Sequence, residues 1–305
     1  MTSQYQRLYR QQANYRWWRP LIALLLAGVI YVSLASLIGA VTYAIVLANS
    51  TSPAEAQGTM TSLFTPDTAN PLSVLLALVT VGIGLPVIFL SMWAVGLKPV
   101  GMLHSVTLRV RWRRLASYLV IAVAAFLAAQ LLSIGLSFVF GNTTEKPQEI
   151  NSVAALVSML IVLAFVPLQI AAEEYAFRGM LLQSLGAWIK YPVIPILISA
   201  ALFTLGHAYE FWGMTEVFVL GIVAAWLTSR TGGLEAALAL HLVNNLGIFM
   251  LLASGLLGTT AVTENAGSPL SLAVSVLMLT AFSWFVIRNN NKQEQESVVG
   301  VNSNE

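Results

Sequence analysis

Apolar residues fill long, nearly unbroken stretches of this chain, with neither the three-to-four spacing of a soluble amphipathic helix nor the alternation of a half-buried strand. The stretches cover residues 21–48, 72–96, 115–140, 153–172, 193–208, 217–228, 234–257 and 270–287. A helix needs about 20 apolar residues to cross the hydrocarbon of a bilayer. The pattern therefore predicts an all-α fold, a polytopic transmembrane helical bundle of about eight spans in which the sixth is short. Polar residues divide the rest. Residues 1–20 read as a cytoplasmic N-terminal segment, 21–150 as N-terminal transmembrane helices and loops, and 151–257 as a core that carries the polar blocks below. Residues 258–288 read as an extracytoplasmic loop with the last span, and 289–305 as a disordered cytoplasmic tail. The stretch 49–70, rich in Ser, Thr, Ala and Pro, reads as a flexible extracytoplasmic loop.

Composition agrees with this picture, with 57% hydrophobic and 9% charged residues and a mean hydropathy of +0.78. The chain is expected in the cell membrane as a multi-pass integral protein. Its basic residues set the orientation, because Lys and Arg gather in cytoplasmic connections. Arg7, Arg10, Arg16 and Arg19 precede the first span, and Lys98, Arg109, Arg111, Arg113 and Arg114 lie between the second and third. Lys190, Arg230, Arg288 and Lys292 fall in later even-numbered connections and the tail, while the intervening loops hold Lys146. Both termini are thus expected in the cytoplasm. The first apolar run is too long for a signal peptide and reads as an anchor, with Trp17 and Trp18 at the interface. The arginines around Trp112, next to a span, point to anionic lipid rather than nucleic acid. Membrane lipids are therefore expected partners, and nucleic acid is not.

The chain has no cysteine, which removes thiolate chemistry, disulfides and Cys-ligated metals. Its one aspartate, Asp67, lies in a loop, so a paired-aspartate intramembrane protease is excluded. There is no H-E-x-x-H and no G-x-S-x-G. Hydrolytic chemistry would have to use Glu, His and Asn. These occur in three blocks, Glu173-Glu174-Tyr175-Ala176-Phe177-Arg178-Gly179, then Phe203-Thr204-Leu205-Gly206-His207, then His241-Leu242-Val243-Asn244-Asn245.

Charged groups in the middle of an apolar span are costly and usually face a cavity. Glu174 and Arg178 are four apart with the acid first, the favourable order for a helical ion pair. Glu173 points about 100° away around the helix, so Glu174 can be held while Glu173 stays free to accept a proton. If the helix from residue 153 runs through Glu173 and turns at Lys190, Glu173 and His207 are each 17 residues from that turn (190 − 173 and 207 − 190). An antiparallel hairpin then brings them to one height. His241 and Asn245 share a face of the seventh span. His104, among loop arginines, reads as a surface residue, and Glu210, Glu216 and Glu235 as boundary residues that complement helix dipoles.

In this order, the blocks resemble the CPBP family of intramembrane proteases, which includes the type II CAAX prenyl endopeptidases and bacterial proteins linked to bacteriocin self-immunity. The family pattern E-E-x-x-x-R, F-x-x-x-H, H-x-x-x-N or D is matched by Glu173, Glu174 and Arg178, by Phe203 and His207, and by His241 and Asn245. The turn Ser229-Arg230-Thr231-Gly232-Gly233-Leu234 is also similar to the one that precedes the family's last histidine helix. The resemblance covers residues 161–249. It implies an intramembrane endopeptidase acting on a membrane-associated peptide or protein, CAAX-like or other. Glu173 with His207 would polarise a water, His241 and Asn245 would donate to the oxyanion, and Glu174, Arg178 and Phe203 would support them.

The cofactor stays open at this point. Glu173, His207 and His241 could supply three ligands to zinc with water in the fourth place, the metalloendopeptidase reading, or act as a metal-free glutamate hydrolase. Each residue alone also has a plain role, since membrane histidines and asparagines often bridge helices and Glu174 with Arg178 can be a structural pair. The alternative functions are a non-proteolytic membrane binding or bacteriocin-immunity protein and a proton-coupled transporter. The absence of a clear internal repeat weighs against the transporter.

Overall fold

The computed structural model of the chain describes residues 4–140, 147–264 and 266–302. After a short 3-10 helix at Tyr5–Gln11 come α1 (Arg19–Asn49), α2 (Pro53–Phe64), α3 (Pro71–Gly82), α4 (Gly84–Ala94) and α5 (Trp112–Val139). These are followed by α6 (Ser152–Glu174), a π-helical stretch (Tyr175–Leu181), α7 (Leu182–Trp188), α8 (Val193–Thr204), α9 (Phe211–Thr231), α10 (Glu235–Ala253) and α11 (Pro269–Asn302). The helices α3 and α4 form one crossing interrupted at Ile83, and α6, the π stretch and α7 form another. Seven crossings are long and apolar enough to span a membrane, so the chain is a multi-pass integral membrane protein. The eighth apolar helix, α8, has only 12 residues, about 18 Å at the helical rise.

Two sets of contacts define the ends of the bundle. At one end, Trp188 Nε1 donates to the Trp17 carbonyl at 2.9 Å, Gln6 Nε2 to Ser229 Oγ at 2.8 Å and Arg114 Nη1 to Asn290 Oδ1 at 2.9 Å. At the other, the amide of Thr68 donates to the Thr260 carbonyl, that of Gln148 to Gly255 and that of Glu210 to Glu264, at 2.8–3.0 Å. The chain from Val193 to Glu210 therefore passes from one end to the other even though α8 stops at Thr204. With that passage the path crosses eight times, and the first and last described segments share the end that gathers the arginines. Lys146, the basic residue expected at the opposite end, lies outside the described residues.

Three expectations change in detail. The short crossing is the fifth, α8, whereas the sixth is the 21-residue α9; Gly213, Thr215 and Glu216 break the apolar pattern at its start and make it read short. The loop 49–70 holds α2. Ser52 caps it by accepting from the amide of Glu55 at 3.2 Å, Pro53 occupies its first turn, and Glu55 reaches back to the Thr51 amide at 2.7 Å. These are the capping contacts that start a helix. The helix α11 continues through Asn302, into residues expected as a disordered tail.

The outer staves, α1 and α5, are apolar on nearly all faces. Leu25, Val29 and Val32 of α1 and Val120 and Leu131 of α5 are exposed, as side chains in contact with lipid tails must be. Inside, small residues let backbones approach. A Cβ on Gly84 would sit 3.6 Å from that of Ala172, so the α3–α4 break packs directly on the part of α6 that carries Glu173.

The turn between α9 and α10 places His241. Gly232 adopts φ 72° and ends α9, its amide donating to the Thr228 carbonyl at 3.0 Å, a left-handed cap that suits glycine. Next to it, a Cβ on Gly233 would lie 2.3 Å from Arg111 Nη2 and 2.5 Å from Glu235 Oε2. Those two atoms are themselves 2.5 Å apart, in an ion pair that ties the loop before α5 to the first turn of α10. Gly233→Ala should therefore push the pair apart and lower the unfolding temperature, whereas Gly58→Ala, at a glycine with open space around it, should not. Thermal unfolding of the two variants in the same detergent checks this; equal unfolding temperatures would show that the pair adjusts freely.

Candidate active site

The first block sits where α6 gives way to the π stretch. A π turn adds a residue to the helical repeat and re-aims the side chains around it. Glu174 and Arg178, both with 0% exposure, pair across it, with Arg178 Nη1 donating to Glu174 Oε1 at 2.9 Å. The same oxygen receives His241 Nδ1 of α10 at 2.7 Å. A carboxylate only accepts, so Nδ1 carries the proton, and the tautomer is fixed by this contact. The other ring nitrogen, Nε2, faces Glu173 Oε2 at 3.6 Å. His241 thus lies between the two neighbouring carboxylates, bonded to one and turned toward the other.

The Phe203 side chain organises the second block. The Arg178 guanidinium lies over its ring at 4.1 Å from the centroid, a cation–π contact that a desolvated site strengthens. The rings of His207 and His241 meet Phe203 edge-on at centroid distances of 4.8 and 5.5 Å, and Phe177 does so at 5.3 Å. His207 lies just past the end of α8. Its Nδ1 donates to the Phe203 carbonyl at 3.0 Å, which leaves Nε2 as the nitrogen available to a substrate or solvent group.

A cavity of about 370 Å³ brings these groups together. Glu173, Phe203 and His207 line it, along with apolar side chains of α1, α4 and the π stretch such as Leu24, Ile88 and Met180. Glu173 retains 14% exposure of its side chain, yet its Oε2 is buried without a hydrogen-bond partner among the described residues. Glu174 Oε2 and Arg178 Nε and Nη2 are in the same condition. Buried polar atoms of this kind are costly unless the site has work for them.

The structure therefore joins Glu173, Glu174, Arg178, Phe203, His207 and His241. Asn245 lies one turn along α10 from His241, where its Oδ1 accepts from Asn244 Nδ2 at 3.3 Å, and it is not among the cavity-lining residues. Two tyrosines were not apparent from the sequence. Tyr31 of α1 lines the cavity, and it and Tyr209, two residues past His207, are close enough to Glu173 to feel its charge. Nothing in the apolar run 21–48 sets Tyr31 apart from Tyr43. Tyr209 at least adjoins a block. His104, expected at the surface, is half-buried and bonds through Nδ1 to the Tyr175 hydroxyl, beside Glu174 in the chain. Among the boundary glutamates, Glu235 is buried in its pair with Arg111, and Glu216 accepts from Ser271 at 2.5 Å, joining α9 to α11.

Among the described residues, no group of three or more His, Asp or Glu side chains converges so as to hold a metal ion, and Glu173, His207 and His241 do not do so. His241 Nδ1 is held by Glu174 and His207 Nδ1 by a carbonyl, which leaves the two Nε2 atoms as the ring nitrogens open to the site.

Residues 152–247 match the family model described as Type II CAAX prenyl endopeptidase Rce1-like, a segment that contains all three blocks. Within the curated proteins, the uncharacterized protein YyaK of Bacillus subtilis (strain 168) is 27% identical over 202 residues, covering 61% of this chain and 66% of that protein. The chain thus spans just under two thirds of the length of that curated relative. No solved structure matches. The similarity read from the blocks is to this family, and the matched segment supplies Glu173, Phe203 and His207 to the cavity, whose wall is completed by α1, α3 and α4 outside it.

Proposed function

We propose that the protein is an intramembrane endopeptidase that hydrolyses a peptide bond of a membrane-associated substrate with a water activated by Glu173. The observation that carries this reading is the division within the Glu-Glu pair. Glu174 is consumed by Arg178 and His241, whereas Glu173 faces the cavity with an unpartnered oxygen beside His241 Nε2.

The geometry supports a simple sequence of events. A water in the cavity would donate one hydrogen to the Glu173 carboxylate and the other to the unprotonated Nε2 of His207, on the cavity wall, or of His241, beside Glu173. Its oxygen would attack the scissile carbonyl carbon as Glu173 takes the proton. The tetrahedral oxyanion would need donors; the Tyr31 phenol, on the cavity wall, is one candidate, and the Asn245 amide, which does not line the cavity, would have to turn toward it, while His241, whose Nδ1 is held by Glu174, no longer serves as the donor expected of it. Collapse breaks the C–N bond, and Glu173 returns its proton to the leaving amine. Glu174 acts through His241 and is a positioning residue, as is Arg178 behind it. The apolar wall suits a hydrophobic or lipidated segment, and the end of the bundle rich in arginine would face the cytoplasm.

The test uses the full chain in proteoliposomes with a panel of single-span reporter peptides and isoprenylated CAAX peptides, cleavage being read by mass spectrometry. Cleavage should persist after dialysis against a strong chelator, and His207→Ala and His241→Ala should each abolish it while the protein still inserts. Loss of activity with chelator and its recovery with zinc would replace the metal-free mechanism, and cleavage undiminished in both histidine variants would overturn the site.

A further inference from the structure

A second, larger cavity of about 840 Å³ opens at the arginine-rich end of the bundle. It lies between the loop before α5, the first turn of α5 and Gln293 of α11, and none of the residues that line it lines the candidate active site. Its charges are not equivalent. Arg111 is spent, its Nε and Nη2 on Glu235 and its Nη1 on the Thr231 carbonyl. Arg114 holds Asn290, a neutral partner. Arg109 and Arg113 are exposed, and no carboxylate pairs with either guanidinium among the described residues. Burial lowers the pKa of His104, partly opposed by Glu235, so near neutral pH its ring enters the wall uncharged and the positive field comes from the arginines.

Position narrows the ligand. The α5 helix starts at Trp112 and spans the membrane, so a cavity around its first turn sits at headgroup level. Trp112 is exposed beside it, as an interfacial aromatic should be. Further along α5, Val120, Val123 and Leu127 are exposed, where acyl chains run. A soluble anion would use the guanidinium groups alone; a lipid uses the charged cavity and the apolar stave together.

We propose that this cavity binds the headgroup of an anionic phospholipid, its phosphate on Arg109 and Arg113 and its acyl chains along the exposed face of α5. The site is independent of the catalytic reading. Bound lipid would also brace the Arg111–Glu235 tie that fixes the start of α10, so occupancy should stabilise the fold by mass action.

The full chain is placed in phosphatidylcholine nanodiscs with and without phosphatidylglycerol, and lipid retention is read by native mass spectrometry beside thermal unfolding. Wild type should retain phosphatidylglycerol preferentially and unfold at a higher temperature with it. In the double variant Arg109→Gln, Arg113→Gln, retention should weaken roughly thirty-fold, given what each basic residue contributes near an anionic surface. The thermal gain should vanish too, with unfolding in pure phosphatidylcholine unchanged. The remote double variant Arg7→Gln, Arg10→Gln should behave as wild type. Equal retention in the two double variants would overturn the site. Displacement of phosphatidylglycerol by inorganic phosphate or glycerol phosphate at matched concentration would show a free-anion site and overturn the lipid.

Discussion

Glu173→Gln is expected to lower peptide cleavage by about 10²- to 10⁴-fold, the range that a positioned general base contributes. Membrane insertion and thermal unfolding should stay close to wild type. Glutamine keeps the shape of the side chain and its hydrogen-bonding reach, and it cannot take a proton from water. Among the described residues, no ion pair or hydrogen bond of the fold is lost with the charge: Glu173 lines the cavity, and the polar atom nearest its carboxylate, His241 Nε2, is 3.6 Å away. Cleavage in proteoliposomes, measured beside unfolding temperature, separates the two effects. Full activity in this variant would remove Glu173 from the base role, and a misfolded product would show that its carboxylate is structural.

The second large effect is on stability. Arg178→Met leaves the Glu174 carboxylate at 0% exposure with only His241 to answer it, and Glu174→Gln leaves the guanidinium against Phe203 without its bonded counter-charge. Breaking a buried pair from one side typically costs about 3–5 kcal/mol. The double variant Glu174→Gln, Arg178→Met should cost less than the sum of the singles, because neither partner is then stranded. A double-mutant cycle on unfolding free energy reads this coupling; strict additivity would show that the pair is not formed. Both Glu174 variants should also lower cleavage, since His241 Nδ1 then meets a neutral amide in place of the carboxylate that holds it.

The eight crossings and the three polar blocks were legible because their signals are local: unbroken apolar runs, and charges where charges are expensive. The Glu174–Arg178 pair followed from helical spacing, and the meeting of Glu173 with His207 from equal chain lengths on either side of Lys190. What escaped has no local signature. The approach of Tyr31 depends on α1 packing over the Gly82–Gly84 break, a contact between segments more than fifty residues apart. His241 bridging both glutamates could not be read from the His241–Asn245 spacing, which says which face they share and not what faces them. His104 was read from its arginine neighbours in sequence, whereas the fold presses it against Phe89 and Tyr175. The helix α2 was overlooked because its composition resembles a loop, although Ser52, Pro53 and Glu55 spell out its cap.

The brevity of α8 has a bearing on how water reaches a carboxylate so far from either surface. A helix of 12 residues falls well short of the roughly 30 Å of hydrocarbon around it. The chain completes its passage through residues 205–210 as irregular backbone, with Leu205 and Gly206 exposed and His207 at the junction. Bare peptide groups at that depth must be hydrated or covered by protein. In a bilayer of ordinary thickness these residues would lie within the hydrocarbon, so the lipid beside α8 would have to thin toward His207. Lipid chain length, and not a side chain, would in this way set how readily water approaches His207 and its neighbours.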